Sequence, residues 1–260
     1  MILLGKYRYM YYPGCTLKGW AKDLETSTLK VCEILGIDLI ELDRWYCCGG
    51  VFELSDNLMR HLGAVRSLIK AEEKSKEIGT GDLVTICSMC YNVLGRISFQ
   101  LKKEDIEKIN FFMDDEKDYS GKIRVKHFLE VLKEYGFNKI RNYVDEQMGI
   151  KVAPYYGCTL LRPEEIGIDD SQKPRIMEEL LEAIGMDPVS FPMQTVCCGS
   201  YNSARGIKAV ETLRKKILES AKREGAELIV TSCPLCKYNL KEAMYFTELM
   251  EMALGGARHG

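Results

Sequence analysis

Apolar positions along the chain alternate between two periods, short extended runs and longer stretches at helical spacing. Residues 8–13 read as a strand that ends just before Cys15. From Leu24 to Leu35 the apolar residues recur at helical spacing, and Gly36 stands where a left-handed residue would close the helix. Ile37-Asp38-Leu39-Ile40-Glu41-Leu42 reads as a second strand running into Cys47 and Cys48. Ser55-Asp56-Asn57 can cap a helix whose Leu58, Leu62, Val65, Leu68 and Ile69 share one face, with Gly79 after it. Asp82 to Ile86 is a third strand ending at Cys87, and Cys90 to Leu94 continues as helix. The order then returns: strand 152–156, helix 173–184, strand 187–191, helix 204–224, strand 227–231, and helix from Cys236 on. Strand and helix in alternation argue for parallel sheets with covering helices. The expected fold class is α/β in two pseudo-equivalent halves, each a small parallel sheet with cysteines just past the carboxyl ends of its strands. Open α/β sheets gather their ligands at that edge.

The halves are expected at 1–104 and 151–250. Residues 105–150 carry a polar loop, Asp114 to Asp118, and helical patterns at Val125 to Tyr135 and Asn138 to Met148, so a helical connector is expected there. His127 shares a face with Phe128, Val131 and Leu132, which reads as a partly buried helix histidine, and His61 reads the same way. Residues 251–260 are expected to form a flexible tail.

The equivalence of the halves is written most plainly in cysteines. Cys15, Cys47, Cys48, Cys87 and Cys90 are answered in the same order by Cys158, Cys197, Cys198, Cys233 and Cys236. Each set is a lone Cys, a Cys-Cys-Gly and a Cys-x-x-Cys, and self-similarity of this kind governs the reading of the whole chain. Cys32 falls outside the repeat, on the apolar face of the Leu24–Leu35 pattern, and reads as a small buried thiol.

Composition narrows the chemistry. At 260 residues and 46% hydrophobic, the chain can bury real cores without staples. A net charge of −2 supplies no basic field to recruit nucleic acid. No apolar run approaches the roughly 18 residues of a membrane span. Met1 to Leu4 is too short for a signal peptide. The expected compartment is the cytoplasm, where eleven cysteines point to metal binding or catalysis rather than to disulfides.

Two Cys-x-x-Cys pairs alone would suit tetrahedral zinc, but zinc takes four ligands and each half offers five. Adjacent cysteines normally point apart, so both reach one object only if it is larger than an ion or if the backbone turns sharply. Gly49 and Gly199 would permit such a turn. Thiolate-rich sets suit iron–sulfur clusters, and helix N-termini after the cysteines would favour an anionic cluster.

The pattern resembles the cysteine-rich CCG domain family, and within it the B subunits of heterodisulfide reductases. Five stretches carry the resemblance: Tyr11 to Thr16; Trp45-Tyr46-Cys47-Cys48-Gly49-Gly50; Cys87-Ser88-Met89-Cys90-Tyr91-Asn92; Cys197-Cys198-Gly199; and Cys233-Pro234-Leu235-Cys236 with Asn239-Leu240. It spans about 8–245. The intervals between cysteine groups are 31 and 38 residues in the first half and 38 and 34 in the second. The resemblance implies two non-cubane [4Fe-4S] clusters, one on each set of five cysteines, with a disulfide substrate held between them. It implies homolytic cleavage, each cluster giving one electron and taking one sulfur. It also implies partners, the flavin-containing subunit and the iron–sulfur subunit of heterodisulfide reductase. They are needed because this chain lacks the closely spaced Cys-x-x-Cys-x-x-Cys segment fused to some family members. The substrate implied is the coenzyme M–coenzyme B heterodisulfide. Its anionic groups want cations, for which Arg162, Arg205 and Lys237, near cysteines of the second set, are the candidates. The alternative is an electron-relay or scaffold subunit of another oxidoreductase, built on the same clusters.

Overall fold

The computed structural model describes residues 7–50, 58–113, 116–144, 146–205 and 208–255. The first half runs β1 (Tyr7–Tyr11), α1 (Lys22–Leu35), β2 (Ile37–Glu41), α2 (Leu62–Ile78), β3 (Asp82–Thr85) and α3 (Ser88–Gln100). It continues with α4 (Lys103–Phe112), β4 (Arg124–His127), α5 (Phe128–Tyr135) and α6 (Phe137–Arg141). The second runs β5 (Lys151–Pro154), α7 (Ile176–Ala183), β6 (Asp187–Pro188), α8 (Lys208–Arg223), β7 (Leu228–Thr231), α9 (Pro234–Leu240), β8 (Met244–Tyr245) and α10 (Phe246–Gly255). Each half holds one four-stranded sheet, ordered β2-β1-β3-β4 and β6-β5-β7-β8, and every described pairing is parallel. The expected α/β class with two similar halves is what the chain forms.

Local chemistry sets the element ends. Gly36, at φ 68°, closes α1 with its N–H on the Cys32 and Glu33 carbonyls, and Gly79, at φ 78°, closes α2. The central strands are buried on both faces, which is why Met10, Tyr11, Leu83 and Val84 form continuous apolar runs rather than alternating ones.

Several expected elements shift. The Ser55-Asp56-Asn57 cap lies outside the described residues; Leu58–His61 is a 3-10 turn, and α2 starts at Leu62. α7 starts at Ile176 rather than 173, because the residue before Pro174 resists the helical region. The Asp169 carboxylate caps it from a distance, accepting from the Arg175 and Ile176 N–H groups at 2.6 Å each. The strand expected over 187–191 pairs only at Asp187–Pro188, since Pro188 and Pro192 bring no N–H to a ladder. The helix expected over 204–224 is a 3-10 turn, Ser200–Arg205, followed by α8.

The stretch between the halves contains more than helix. Arg124–His127, expected as the start of a helix, is β4, the fourth strand of the first sheet, in register with β3 from Asp82↔Arg124 to Thr85↔His127. Charge pairing across that ladder outweighs the helical period: Arg124 and the buried Lys126 each meet Asp82 at 2.8 Å. Helix resumes as α5 and the short α6. Residues 251–255, expected in a flexible tail, are the last turns of α10, which packs along α1 through Ser27 Oγ and Thr247 Oγ1 at 2.7 Å and a Lys30–Glu251 ion pair.

The main core crosses between halves, joining Met10, Leu24, Val84 and Phe128 to Leu180, Leu181, Phe246 and Met250. A smaller cluster lies under α8, around Ala153, Phe191, Ile217 and Leu240. No helix among the described residues is long and apolar enough to cross a membrane.

Candidate metal centres

All ten repeat cysteines lie beyond the carboxyl ends of strands, in two sets built by the same devices. Cys87 and Cys233 are the N-cap residues of α3 and α9, so Cys90 and Cys236 sit in the first turn of each helix. The positive end of α3, with the Met89 and Cys90 N–H groups, helps lower the Cys87 thiol. The lone cysteines follow Gly14 and Gly157, at φ 76° and 67°. A Cβ on Gly14 would lie 2.8 Å from Cys90 Sγ, and one on Gly157 would lie 3.3 Å from Cys236 Sγ. The paired cysteines turn at Gly49 and Gly199, both at φ 79°, and the Gly199 N–H donates to Cys197 Sγ at 3.3 Å. A tyrosine three residues before each lone cysteine anchors the pair: Tyr12 Oη donates to the Tyr46 carbonyl at 2.7 Å, and Tyr155 Oη to the Val196 carbonyl at 2.5 Å.

The thiols interact in one order in both halves, 15–47–48–90–87 and 158–197–198–236–233. Cys47 and Cys15 are 3.7 Å apart, and Cys236 and Cys198 are 3.5 Å apart. The Cys47 thiol is held well below the ordinary thiol value, first by its interaction with Cys15 and then with Cys48, and Cys197 likewise by Cys158 and Cys198. Their neighbours rise in turn: Cys15 and Cys158 sit far above the ordinary thiol value, first through Cys47 and Cys197, and Cys198 is pushed up to about 11, first by Cys197. Cys87 is lowered, first by the Cys90 thiol. In each set the first thiol of the Cys-Cys pair is therefore the one its neighbours lower.

Among the described residues, no three Cys, His, Asp or Glu side chains converge as ligands of one ion. Five thiols in a row fit a polynuclear iron–sulfur centre, an object with several metal atoms to reach, better than a single tetrahedral zinc. Cys32 belongs to neither set: it is buried on α1, and burial alone pushes its thiol up to about 12.

The halves interlock around the two sets. Asn92, two residues past Cys90, donates through Nδ2 to the Thr159 and Arg162 carbonyls at 2.7 and 2.6 Å, fastening the loop that carries Cys158. Asn239 donates to the Cys198 carbonyl within its own half. Tyr201, three residues past Cys198, reaches the other half, with its hydroxyl 3.3 Å from the Gly50 carbonyl and 3.0 Å from Met89 Sδ. Asn92 and Asn239 stand in the stretches that carry the resemblance but had no role assigned from sequence, and Tyr201 was overlooked, because nothing local marks a residue that serves the opposite half.

The cations proposed from sequence are placed differently from one another. Lys237 Nζ lies 2.6 Å from Asp23 and 2.8 Å from Glu248, over the Tyr245 ring, and joins the halves. Arg162 donates to the Thr195 and Ser171 carbonyls. Arg205 ends the 3-10 turn after the second Cys-Cys-Gly. His127 is fully buried at the end of β4; its Nδ1 accepts from the Leu129 N–H and its Nε2 pairs with the Ile86 carbonyl at 2.8 Å, so it caps α5 and braces the residue before Cys87. His61 is half-buried with Arg60 Nε 3.0 Å from its Nε2.

A family model described as the cysteine-rich domain CCG covers residues 9–95 and 152–241, one copy per half. A protein of Archaeoglobus profundus described as like the B subunits of heterodisulfide reductase is 30% identical over 91% of this chain and 81% of its own length. The 8-methylmenaquinol:fumarate reductase membrane anchor subunit of Wolinella succinogenes is 29% identical over 89% of this chain and 81% of its own. In Methanosarcina acetivorans, one of the B subunits of CoB-CoM heterodisulfide reductase, that of the ferredoxin/F(420)H(2)-dependent enzyme, is 28% identical over 86% and 76%.

Proposed function

Because this chain belongs to the cysteine-rich CCG domain family, whose members named above are oxidoreductase subunits, we propose that it is the disulfide-reducing subunit of a heterodisulfide reductase-type complex. The observation that carries the reading is the pair of five-thiol rows, identical in order of interaction and clasped together within one core by Tyr201 and Asn92. Cys15, Cys47, Cys48, Cys87 and Cys90 would hold one non-cubane [4Fe-4S] cluster, and Cys158, Cys197, Cys198, Cys233 and Cys236 the other. The clusters would supply one electron each and an iron to hold each separating sulfur. In the overall step the S–S bond of the disulfide breaks, two electrons and two protons are taken up, and two thiols leave. The electrons come from partners of the complex, a flavin-containing subunit and a small iron–sulfur subunit. A coenzyme M–coenzyme B type heterodisulfide is the substrate. Eleven free thiols suit the reducing cytoplasm. The chain's own contribution is position: Tyr12 and Tyr155 fix the paired cysteines, and Asn92 and Tyr201 fix one set against the other.

The test is turnover of a disulfide by cluster-loaded protein with reduced viologen as donor. Cys48→Ala and Cys198→Ala should each abolish it while the untouched half keeps its spectroscopic signal. Turnover by a variant shown to lack one cluster would sink the shared-substrate reading. A second reading, an electron-relay subunit, draws support from the relative named as a fumarate reductase membrane anchor subunit, which is alike over the same length. It predicts cluster reduction by viologen with no disulfide consumed.

A further inference from the structure

The two halves cover equivalent helices differently. A shift of 146 residues lays α8 on α2, bringing Gly79 onto Gly225, both at positive φ, and Cys87 onto Cys233. In the first half the chain's own residues 116–123 lie across α2. Glu116 meets Lys70 at 2.9 Å, Lys117 meets Glu73 at 3.2 Å, and Glu72 accepts from the Ser120 and Lys122 N–H groups at 3.1 Å each. The segment leads into β4, where the Arg124 N–H donates to the Gly81 carbonyl at 2.9 Å and four residues pair with β3. In the second half only residues 241–243 separate α9 from β8, and β8 pairs with β7 at Val230 and Thr231 alone. Glu242 precedes Tyr245 as Arg124 precedes His127, yet its N–H turns back onto the Leu240 carbonyl, so the Glu227 carbonyl, counterpart of that of Gly81, gains no ladder bond from it. The equivalent face of α8 is an open groove of about 770 Å³ reaching the amino end of β7, lined by Leu218 and Leu228 among others.

Resting on the function proposed above, we infer that this groove seats an extended segment of a partner subunit of the complex, laid over α8 and beside β7 as residues 116–124 lie over α2 and beside β3. The first half shows the chemistry of such a segment, and the second keeps most of the places that hold it. Lys216 stands at the position of Lys70 and Glu219 at that of Glu73, so an acidic residue followed by a basic one can be held as Glu116 and Lys117 are. Arg214, on the groove, adds a further place for a carboxylate: its Nη2 is 2.8 Å from Glu211, while its Nε is buried with no partner among the described residues. The departure is Leu218, at the position of Glu72, which asks for an apolar side chain where the first half receives N–H groups. An extended backbone added along a strand gains main-chain hydrogen bonds, and its alternate side chains give specificity. A second copy of this chain has no spare segment of this kind to offer, because its own residues 116–124 already lie on α2 and β3. The groove meets β7 at its amino end, the end away from Cys233, so a partner tethered there leaves the cysteine edge clear.

Two measurements on the cluster-loaded full chain test the docking and the function separately. In the first, the chain is mixed with the purified flavin-containing and small iron–sulfur subunits. Hydrogen exchange of the amides over residues 214–229 should slow about tenfold in the assembly. Leu218→Glu, which restores the residue of the first half, and Arg214→Gln should each raise the dissociation constant about tenfold, while Lys133→Glu, on α5, leaves it unchanged. Assembly with no protection over residues 214–229, unaltered affinity in both groove variants, or no assembly with either subunit overturns the docking. Protection that grows with the concentration of this chain alone assigns the groove to a second copy and overturns it as well. In the second, the isolated chain is assayed for disulfide turnover with reduced viologen, and both groove variants should match wild type in iron content and rate. Groove protection and weakened variants in a chain that reduces no disulfide sink the proposed function and leave the docking. Disulfide turnover with a groove indifferent to both subunits sinks the docking and leaves the function.

Discussion

Alanine at the two glycines before the lone cysteines should separate cluster binding from folding. Gly14 and Gly157 both have positive φ, so alanine at either costs about 1–2 kcal/mol of left-handed strain, offset in part by about 0.4–1 kcal/mol from a stiffer unfolded chain. Both variants should therefore lose about 1 kcal/mol of stability and stay folded. They differ in what the new methyl meets. At Gly14 it would lie 2.8 Å from Cys90 Sγ, at Gly157 3.3 Å from Cys236 Sγ, against an ordinary contact of about 3.5 Å. The sulfur must then retreat by roughly 0.7 Å in the first case and 0.2 Å in the second, and bound sites tolerate about 0.5 Å. Gly14→Ala should lose the first cluster and Gly157→Ala should keep both. Iron analysis reads this directly: about eight irons per chain, four per cluster, falling to about four in Gly14→Ala alone. Full iron in Gly14→Ala, or equal loss in both variants, would refute the claim that Gly14 is required by the Cys90 sulfur.

Cys32→Ala should retain all iron and activity and lose roughly 1 kcal/mol of stability for a small buried side chain; loss of a cluster would show that Cys32 is a ligand. The thiol, pushed up to about 12 by burial, should also resist alkylation in the folded protein at neutral pH, which mass spectrometry checks. His127 is held neutral down to about 3 by burial, while the unfolded chain binds its proton near 6.5. Its contribution to stability is thus whole above about 6.5 and declines toward 3 as the unfolded state takes up the proton, by about 1.4 kcal/mol per pH unit. In urea unfolding from pH 7 to 5, the advantage of wild type over His127→Gln should shrink at that rate, and a constant gap would contradict a neutral buried imidazole.

What could be read from sequence was what local chemistry encodes. The ten repeat cysteines stand past strand ends and beside turn glycines, so their order alone groups them. Gly36 and Gly79 closed their helices because a left-handed residue after an apolar period has few other uses. Residues 124–127 misled because their side chains suit either period, and the decision lies in Asp82, 42 residues away, which holds both Arg124 and Lys126. Tyr201 shows the same limit: its partner Gly50 is 151 residues distant, and neither neighbourhood names the other. Lys237 looked available because it adjoins Cys236, yet Asp23 and Glu248 converge on it only after α1 and α10 have packed together.

Two levels of organisation follow from this division. The innermost level is repeated: cysteine order, tyrosine anchor and positive-φ glycine recur in both halves, as two sets serving the same kind of centre would require. The next level is not repeated. Asn92 of the first half holds the Cys158 loop of the second, while Tyr201 of the second reaches the Met89 turn of the first, so each half completes the other's support by a different residue. A chain needing only two independent electron carriers could leave them apart, each supported from within its own half. Mutual support by unlike contacts fixes the sets relative to one another, and a fixed separation is what a bond broken between two centres requires, since neither sulfur can be taken up unless both are within reach at once.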